Sequence, residues 1–326
     1  MRRREFLSGL GGTAVMWPLA GRAQQSIPLI GYISSQSPET TATYLAAFRS
    51  GLKDAGYVEG QNVAIEYRWG GGRFDAIPAL AAELVARRPL LIVSTGGDPV
   101  AAAVKAVAPT MPTVFLIGGD PVAQGLVANF NRPGGRATGI TMLTLELEAK
   151  RLGLLRDLLP QSKTFAALIN PSFPGADARS RRLEEQARAI GLNIVTLHAE
   201  TEAEIDKVLS GVDPRGVSAL LVGGDPFFNS RRSQIVAHAA RMSIPAIYEW
   251  REFVTAGGLM SYGTDLPHAY RQVGVYTGRI IKGESPANLP VLQPTKFDFS
   301  MNLRTAKALG LTIPSGVLAI VDEVVE

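Results

Sequence analysis

The sequence contains no cysteine, which excludes thiol catalysis, cysteine-ligated zinc and disulfide bonds. It has only three histidines, His198, His238 and His268, and their wide separation does not match the ligand spacing of a metal site. We therefore expect neither a metal nor another cofactor. Because exported bacterial proteins can lack cysteine, this absence does not decide the compartment.

The common catalytic motifs are also missing. There is no Gly-x-x-x-x-Gly-Lys phosphate loop and no Gly-x-Ser-x-Gly nucleophile elbow. The first predicted strand is followed by residues 34–38 (SSQSP) rather than by a Gly-x-Gly-x-x-Gly dinucleotide turn. Carboxylate pairs such as Glu146 with Glu148 lie on predicted helices, where a solvated face explains them. We expect a protein that is not an enzyme.

No apolar run approaches the roughly 20 residues that span a bilayer. The N-terminus nevertheless has the order of a cleaved export signal: three arginines at 2–4, an apolar run at 6–20 and small residues up to Ala23. Arg3 and Arg4 resemble the twin-arginine export signal, with a Sec signal as the alternative. We predict a signal peptide over residues 1–23, cleavage near Ala23, and a soluble mature protein in the periplasm.

The charge balance of the mature chain excludes one class of partner. Cleavage after Ala23 removes four arginines and one glutamate, which leaves 29 basic and 28 acidic residues. A nearly neutral chain lacks the electrostatic basis for binding nucleic acid. We expect no nucleic-acid partner.

Short apolar runs alternate with longer amphipathic segments, a pattern typical of parallel βαβ units. The runs at 29–34, 90–95 and 113–118 predict buried strands, and their order recurs at 165–170 and 219–224. The duplication predicts an α/β fold of two doubly wound parallel-sheet lobes. A multi-strand hinge would join them if the chain crosses between the lobes near residues 140, 263 and 290.

Gly-Gly-Asp-Pro occurs three times, at 96–99, 118–121 and 223–226, each time after an apolar run. Glycine permits a tight turn, aspartate caps a following helix and proline suits its first position. Such turns lie at the carboxyl ends of parallel strands, where α/β proteins bind ligands. Asp120 and Asp225 are therefore candidate ligand contacts, with plain helix capping as the alternative role.

Other predicted strand ends supply further candidates. Six residues end or follow an apolar run: Ser34, Ser35, Thr95, Asn170, Tyr248 and Tyr262. Serine, threonine and asparagine are also ordinary turn residues, and the tyrosines are equally compatible with a core or lobe-interface position. Both interpretations remain open from the sequence.

Several segments resemble the substrate-binding components of ABC importers, in the family that includes tryptophan- and phenylalanine-binding members. The most specific are GLKDAGYVEGQNV (51–63) and GGDPVAQGLV (118–127), and the resemblance extends to FDFSMNLRTAKALGLTIP (297–314). It implies a type I periplasmic-binding fold that closes on one solute and docks on an inner-membrane permease. It also implies one lobe of residues 27–141 and 264–285 and another of residues 142–263 and 286–326.

Carried over by this resemblance, the ligand-binding positions are Ser34, Ser35, Thr95, Gly96, Asp120, Asn170, Pro171, Asp225 and Tyr262, with Tyr248 added as a strand-end candidate. The expected solute is a small carboxylate-bearing molecule such as an amino acid or an aromatic compound. Two alternatives remain: a solute-sensing domain for a membrane receptor, and a two-lobed enzyme of the glycosyltransferase or racemase type. The lack of cysteine removes the usual racemase pair.

Overall fold

The computed structural model describes residues 27–144, 146–173 and 175–326. The signal peptide predicted over residues 1–23 lies outside this part of the chain. Within it, no helix is both long enough and apolar enough to cross a membrane.

The first half of the chain folds into an α/β unit, here called the first lobe. Its elements are β1 (Leu29–Ser34), α1 (Ala42–Asp54), β2 (Ala64–Trp69), α2 (Ile77–Ala86), β3 (Leu91–Thr95), α3 (Asp98–Val107), β4 (Thr113–Ile117) and β5 (Ala137–Thr141). The strands form one parallel sheet in the order β2-β1-β3-β4-β5. β3 and β4 are buried along their whole length, as expected for apolar strands covered on both faces.

The second half of the chain contains the seven-stranded sheet of the second lobe, together with one helix and a 3₁₀ turn that pack on the first lobe. Its elements are α4 (Glu148–Leu158), β6 (Thr164–Ile169), α5 (Ala176–Ala189), β7 (Asn193–His198), α6 (Glu202–Ser210), β8 (Leu220–Val222), α7 (Pro226–Ser230), α8 (Arg232–Met242), β9 (Ala246–Tyr248), α9 (Arg251–Thr255), β10 (Met260–Gly263), α10 (Leu266–Ile281), a 3₁₀ turn (Pro286–Asn288), β11 (Asp298–Asn302), α11 (Leu303–Ala308), α12 (Ser315–Leu318) and β12 (Glu323–Val325). The strand order is β12-β11-β10-β9-β8-β6-β7. The expected fold of two parallel-sheet lobes is confirmed.

Two strands of the second sheet, β11 and β12, run antiparallel to the other five, because β12 pairs parallel with β11. β11 pairs antiparallel with β10, and its first residue, Asp298, lies opposite Gly263, the last residue of β10. The chain leaves β10 at that end, forms α10 and returns to the same end. β11 must therefore begin where β10 stops and run antiparallel to it.

Although α10 follows β10 in sequence, it packs on the first lobe. It lies along α1 and also contacts β3, β4 and β5. The two helix backbones touch: a Cβ added to Gly51 or to Gly274 would overlap the backbone of the other helix. Arg271 and Asp54 add an ion pair at 2.7 Å.

Residues 286–292 also lie against the first sheet, whereas the resemblance assigned residues from 286 onward to the second lobe. Thr138 Oγ1 donates to the carbonyl of Leu289 at 2.6 Å, and the Leu292 amide donates to Gly139 at 2.9 Å. The chain thus passes between the lobes near residues 142–147, 263–265 and 293–297, and these three connectors form the hinge.

The apolar core is continuous from one lobe to the other. A single buried cluster includes Ile30 and Val93 of the first sheet, Leu168 and Val222 of the second, and Trp250 between them. The two lobes are therefore packed together at the carboxyl ends of their strands.

Candidate functional site

A cleft lies between the lobes, at the carboxyl ends of both parallel sheets. The cavity volume between its walls is about 50 Å³, so the two lobes lie close together in this arrangement. The first lobe contributes Gln36, Gly96, Gly97, Asp98, Leu116 and Gly118; the second contributes Phe173, Arg179, Gly224, Pro226, Asn229 and Trp250; the connectors and α10 add Met142, Thr144, Leu266 and Tyr270.

The first Gly-Gly-Asp-Pro turn brings the backbone to the cleft wall. Gly96 and Gly97 have φ angles of 84° and 102°, a conformation that side chains disfavour, and α3 begins at Asp98. The Asp98 carboxylate does not cap its own helix. It accepts hydrogen bonds from the amides of Gly118 and Gly119 at 2.8 and 3.2 Å, so it ties the first turn to the second.

The second Gly-Gly-Asp-Pro turn departs from the sequence prediction, because no helix follows it. Asp120 is exposed and accepts hydrogen bonds from the amides of Val122 and Ala123 at 2.7 and 3.2 Å. These bonds hold a turn rather than a helix. Asp120 is not among the residues that line the cleft, whereas Gly118 of the same turn is.

The third turn caps α7, as predicted. Asp225 is completely buried and accepts hydrogen bonds from the amides of Phe227 and Phe228 at 2.7 and 3.4 Å. Burial raises the pKa of Asp225, and the bonds to the helix and the nearby Arg179 oppose that rise. Its neighbours Gly224 and Pro226 line the cleft, so Asp225 lies directly behind the wall.

The hydroxyl groups predicted at the strand ends are engaged inside the first lobe. Ser35 Oγ donates to the Gly96 carbonyl at 2.6 Å and Thr95 Oγ1 donates to the Tyr32 hydroxyl at 3.0 Å. Ser34 Oγ accepts from the Gln36 amide at 3.3 Å. These three side chains shape the turns beneath the cleft but do not line it. Among the predicted site residues at these strand ends, Gly96 does line the cleft.

The predicted residues of the second lobe occupy three different places. Asn170 is buried near Asp225, and its Oδ1 accepts from the Ser172 amide at 3.0 Å, while Pro171 is exposed. Tyr248 is buried away from the cleft, with its ring stacked on Phe253 at 4.5 Å. Tyr262 lies near Phe297, with a ring separation of 6.2 Å. None of these four lines the cleft.

A group of aromatic and apolar side chains forms one part of the wall. Trp250 is 4% exposed, and Tyr270 stacks on Tyr44 with a centroid distance of 5.1 Å. Leu116 and Leu266 complete this apolar part. Trp250 lies two residues beyond Tyr248, so the sequence indicated the correct strand end but did not show which of its aromatic side chains reaches the cleft.

A buried group of charged side chains lies behind the other part of the wall. Arg179 Nε donates to Glu148 at 2.8 Å, and Arg179 Nη1 donates to the Gly224 carbonyl at 3.2 Å. Arg151 donates to the carbonyls of Thr144 and Tyr262 at 3.0 and 3.2 Å. The helical pattern predicts a solvated position for Glu148, but this side chain is buried and paired with Arg179. The sequence did not indicate the two arginines, because their proximity depends on α4 and α5 packing together.

Glu249 belongs to the same buried group and is 2% exposed. Burial raises the pKa of Glu249 to about 7, and the positive charge of Arg151 opposes the rise. Within the described residues, no three or more histidine, aspartate or glutamate side chains form a group that could hold a metal ion.

Two hydrogen bonds and an aromatic pair are among the contacts that connect the lobes across the cleft. Gln36 Nε2 donates to the Pro226 carbonyl at 3.1 Å, and Asn229 Nδ2 donates to the Tyr44 hydroxyl at 3.1 Å. The rings of Phe74 and Phe173 meet edge to face at 5.9 Å.

Solved structures with the same fold include a conserved domain protein from Vibrio cholerae, with a TM-score of 0.83 and 24% identity over 92% of this chain and 100% of that one. A protein from Streptococcus pneumonia solved in complex with L-Trp has a TM-score of 0.81 and 24% identity, with the same coverage. A ligand-free, open substrate binding protein from Clostridium difficile has a TM-score of 0.63 and 23% identity over 92% and 99% of the two chains.

A curated relative, the tyrosine-binding protein of Clostridioides difficile (strain R20291), is 25% identical over 264 residues, which cover 81% of this chain and 75% of the relative. The model of the ABC transporter substrate binding protein family matches residues 34–325. Members of this family bind substrates rather than convert them, which confirms that the chain is not an enzyme. The chain belongs to the ABC transporter substrate binding protein family.

Proposed function

We propose that this protein is the extracytoplasmic solute-binding component of an ABC importer, and that it captures an amino acid with an aromatic side chain. The observation that carries the proposal is the composition of the cleft, in which aromatic groups and buried charges meet between two sheets. The captured solute is then delivered to a permease in the inner membrane.

The apolar part of the cleft suits an aromatic side chain. Trp250 and Tyr270 offer ring surfaces, with Leu116 and Leu266 beside them. A pair of aromatic rings in contact gains more free energy than the burial of its surface area alone provides. Two similar proteins support this choice, since one is a tyrosine-binding protein and another was solved in complex with L-Trp.

The polar part of the cleft suits the charged end of an amino acid. The N-terminus of α3 reaches the wall at Gly97 and Asp98. Helix N-termini present unpaired N–H groups and the positive end of the helix dipole, which favour a carboxylate. We assign the solute carboxylate to this helix end.

Capture proceeds by closure of the lobes. A solute that contacts both walls favours the state in which the lobes meet, because only that state makes both sets of contacts. The contacts of Gln36 and Asn229 across the cleft support a closed arrangement here. The higher TM-score to the L-Trp complex than to the ligand-free open structure also supports it.

The lobe boundaries and cellular location form part of the same proposal. The packing of α10 and of residues 286–292 supports a first lobe of residues 27–141 and 264–292. The second lobe then comprises residues 142–263 and 293–326. Residues 1–23 act as a twin-arginine signal, and the mature protein is soluble in the periplasm.

Isothermal titration calorimetry of the purified protein tests the solute class. The panel comprises L-tryptophan, L-tyrosine and L-phenylalanine, with L-alanine, L-glutamate and D-glucose as controls. We expect one site that prefers the aromatic amino acids, with a Kd of about 1 μM, equivalent to about −8 kcal/mol. If no aromatic amino acid binds, or if glucose binds better, the proposed solute class is wrong.

A further inference from the structure

The carboxylate of Glu249 is buried directly behind the cleft wall. Its Oε atoms and the hydroxyl of Thr144 have no hydrogen-bond partner of normal geometry within residues 27–144, 146–173 and 175–326. The Thr144 hydroxyl nevertheless lies close enough to the carboxylate to oppose the rise in the pKa of Glu249. A Cβ added to Gly224 would overlap Oε2 of Glu249 and lie 2.7 Å from its Cδ. Gly224 and Thr144 both line the cleft, so the carboxylate lies against the backbone of the wall.

The first lobe contains a similar arrangement, in which the carboxylate of Asp98 has hydrogen-bond donors. A Cβ added to Gly119 would lie 2.6 Å from Oδ2 of Asp98. Asp98 thus also approaches the second glycine of a Gly-Gly-Asp-Pro turn. It accepts bonds from two backbone amides and from Gln124 Nε2 at 2.9 Å. At the wall beside Gly224, no backbone amide of the described residues donates to Glu249, and the Thr144 hydroxyl is its neighbouring donor group.

The surrounding charges do not balance. The groups that act on Glu249 are Arg151 and Glu148 from α4 and Arg179 from α5, and Asp225 in turn lies close to Arg179. The three carboxylates of Glu148, Asp225 and Glu249 therefore share two guanidinium groups, those of Arg151 and Arg179. Arg179 donates to Glu148 and Gly224, and Arg151 donates to two backbone carbonyls through its Nη atoms. Within the described residues, Arg151 Nε has no hydrogen-bond partner.

We propose that Glu249 provides the counter-charge for a protonated amine of the solute, held at the wall formed by Thr144 and Gly224. The proposal rests on the proposed function and assigns the residue that selects solutes with an ammonium group. An aromatic carboxylic acid that lacks the amine leaves this charge unpaired and binds weakly.

Proton release is a second consequence. Burial raises the pKa of Glu249 to about 7 in the protein without solute. An ammonium group favours the ionised carboxylate and lowers that pKa. Binding near neutral pH therefore transfers a proton from Glu249 to the solvent, and affinity rises as the pH increases through 7 while the solute amine stays protonated.

Calorimetry with matched probes tests the proposal. The probes are L-tryptophan and L-tyrosine, their deamino acids 3-(indol-3-yl)propanoate and 3-(4-hydroxyphenyl)propanoate, and the amines tryptamine and tyramine. Titrations at pH 6.5 and pH 8 in buffers of different ionisation enthalpy count the protons released. We expect at least one amino acid to bind 100-fold more tightly than its deamino acid and to release a proton at the lower pH.

The variant Glu249→Gln should reduce that preference at least tenfold and abolish the proton release. Glu284→Gln, in an exposed pair with Arg279 far from the cleft, should change neither. An equal loss of affinity for amino acid and deamino acid in Glu249→Gln would reduce Glu249 to a structural role and overturn the proposal.

The titrations of the unmutated protein with these six compounds also test whether Glu249 is the counter-charge. If a deamino acid binds as tightly as its amino acid and no proton is released, Glu249 is not the counter-charge, while the proposed function stands. If none of the six compounds binds, both proposals fail.

Discussion

The contact between α1 and α10 gives the sharpest stability prediction, because α10 carries Leu266 and Tyr270 to the cleft. A Cβ at position 274 would overlap the Phe48 carbonyl oxygen and lie 2.7 Å from the Leu52 nitrogen and 3.0 Å from the Gly51 carbonyl carbon. Each of these atoms belongs to the backbone, so no side chain can turn away. Gly274→Ala must therefore push the helices apart.

Overpacking typically costs about 1–3 kcal/mol, and a backbone obstacle belongs at the upper end of that range. The helix preference of alanine over glycine returns about 1 kcal/mol. We expect a net loss of roughly 2 kcal/mol in the free energy of unfolding, read from urea denaturation by circular dichroism. The shift of α10 should also weaken solute binding.

Gly153→Ala is the matched control. Gly153 is within α4, and an added Cβ there meets no heavy atom within 4 Å. This variant should gain about 0.5–1 kcal/mol, because glycine in a helix interior is unfavourable. If Gly274→Ala is as stable as Gly153→Ala, the close helix packing described here is incorrect.

Three further predictions concern the cleft. Folding raises the pKa of Glu249 from 4.5 to about 7. Between these pH values the folded protein holds a proton on Glu249 that the unfolded chain releases. The free energy of unfolding should therefore fall by roughly 3 kcal/mol as the pH rises from 4.5 to 7. Chemical denaturation should show this slope reduced in Glu249→Gln; identical slopes would refute the assignment. Trp250→Ala should weaken binding of the preferred aromatic amino acid by at least tenfold in calorimetry. Leu318→Ala, on the exposed surface, should leave the affinity unchanged. If the two variants bind the amino acid with equal affinity, Trp250 is not part of the site. Asp225→Ala should cost about 1 kcal/mol by removing the cap of α7, and Asp225→Asn should keep the cap; denaturation midpoints that do not differ between the two variants would contradict the capping role.

The strands were predictable because their burial is recorded locally in the sequence. The apolar run at 29–34 coincides with β1, and the run at 113–118 contains β4, which is buried along its whole length. A parallel strand covered on both faces contains consecutive apolar residues. The direction of β11 was not predictable in this way, because it depends on where the chain returns after α10.

The site was only partly predictable from the sequence. The Gly-Gly-Asp-Pro turns led to Asp120 and Asp225, which do not line the cleft, and the family resemblance gave Gly96, which does. The lining also includes Gly97, Asp98, Gly118 and Gly224 of the same turns. Side-chain roles were harder to predict, because hydroxyls such as Ser35 and Thr95 are engaged by local partners.

Tertiary packing decides the remaining residues of the site. β9 has only three residues, too few for its alternation to show that Tyr248 faces the core. Glu249 lies against Gly224 and Thr144, which are distant from it in sequence. No local pattern carries that information.

A crystal structure of the protein grown with L-tyrosine or L-tryptophan most directly tests whether the two lobes close on an aromatic amino acid. We expect the solute ring beside Trp250 and Tyr270, with the amine near Thr144 and Gly224 and contacts to both lobes. A solute bound outside this cleft, for example in the open cavity beside His268 and Lys296, or held by one lobe alone, would contradict the account.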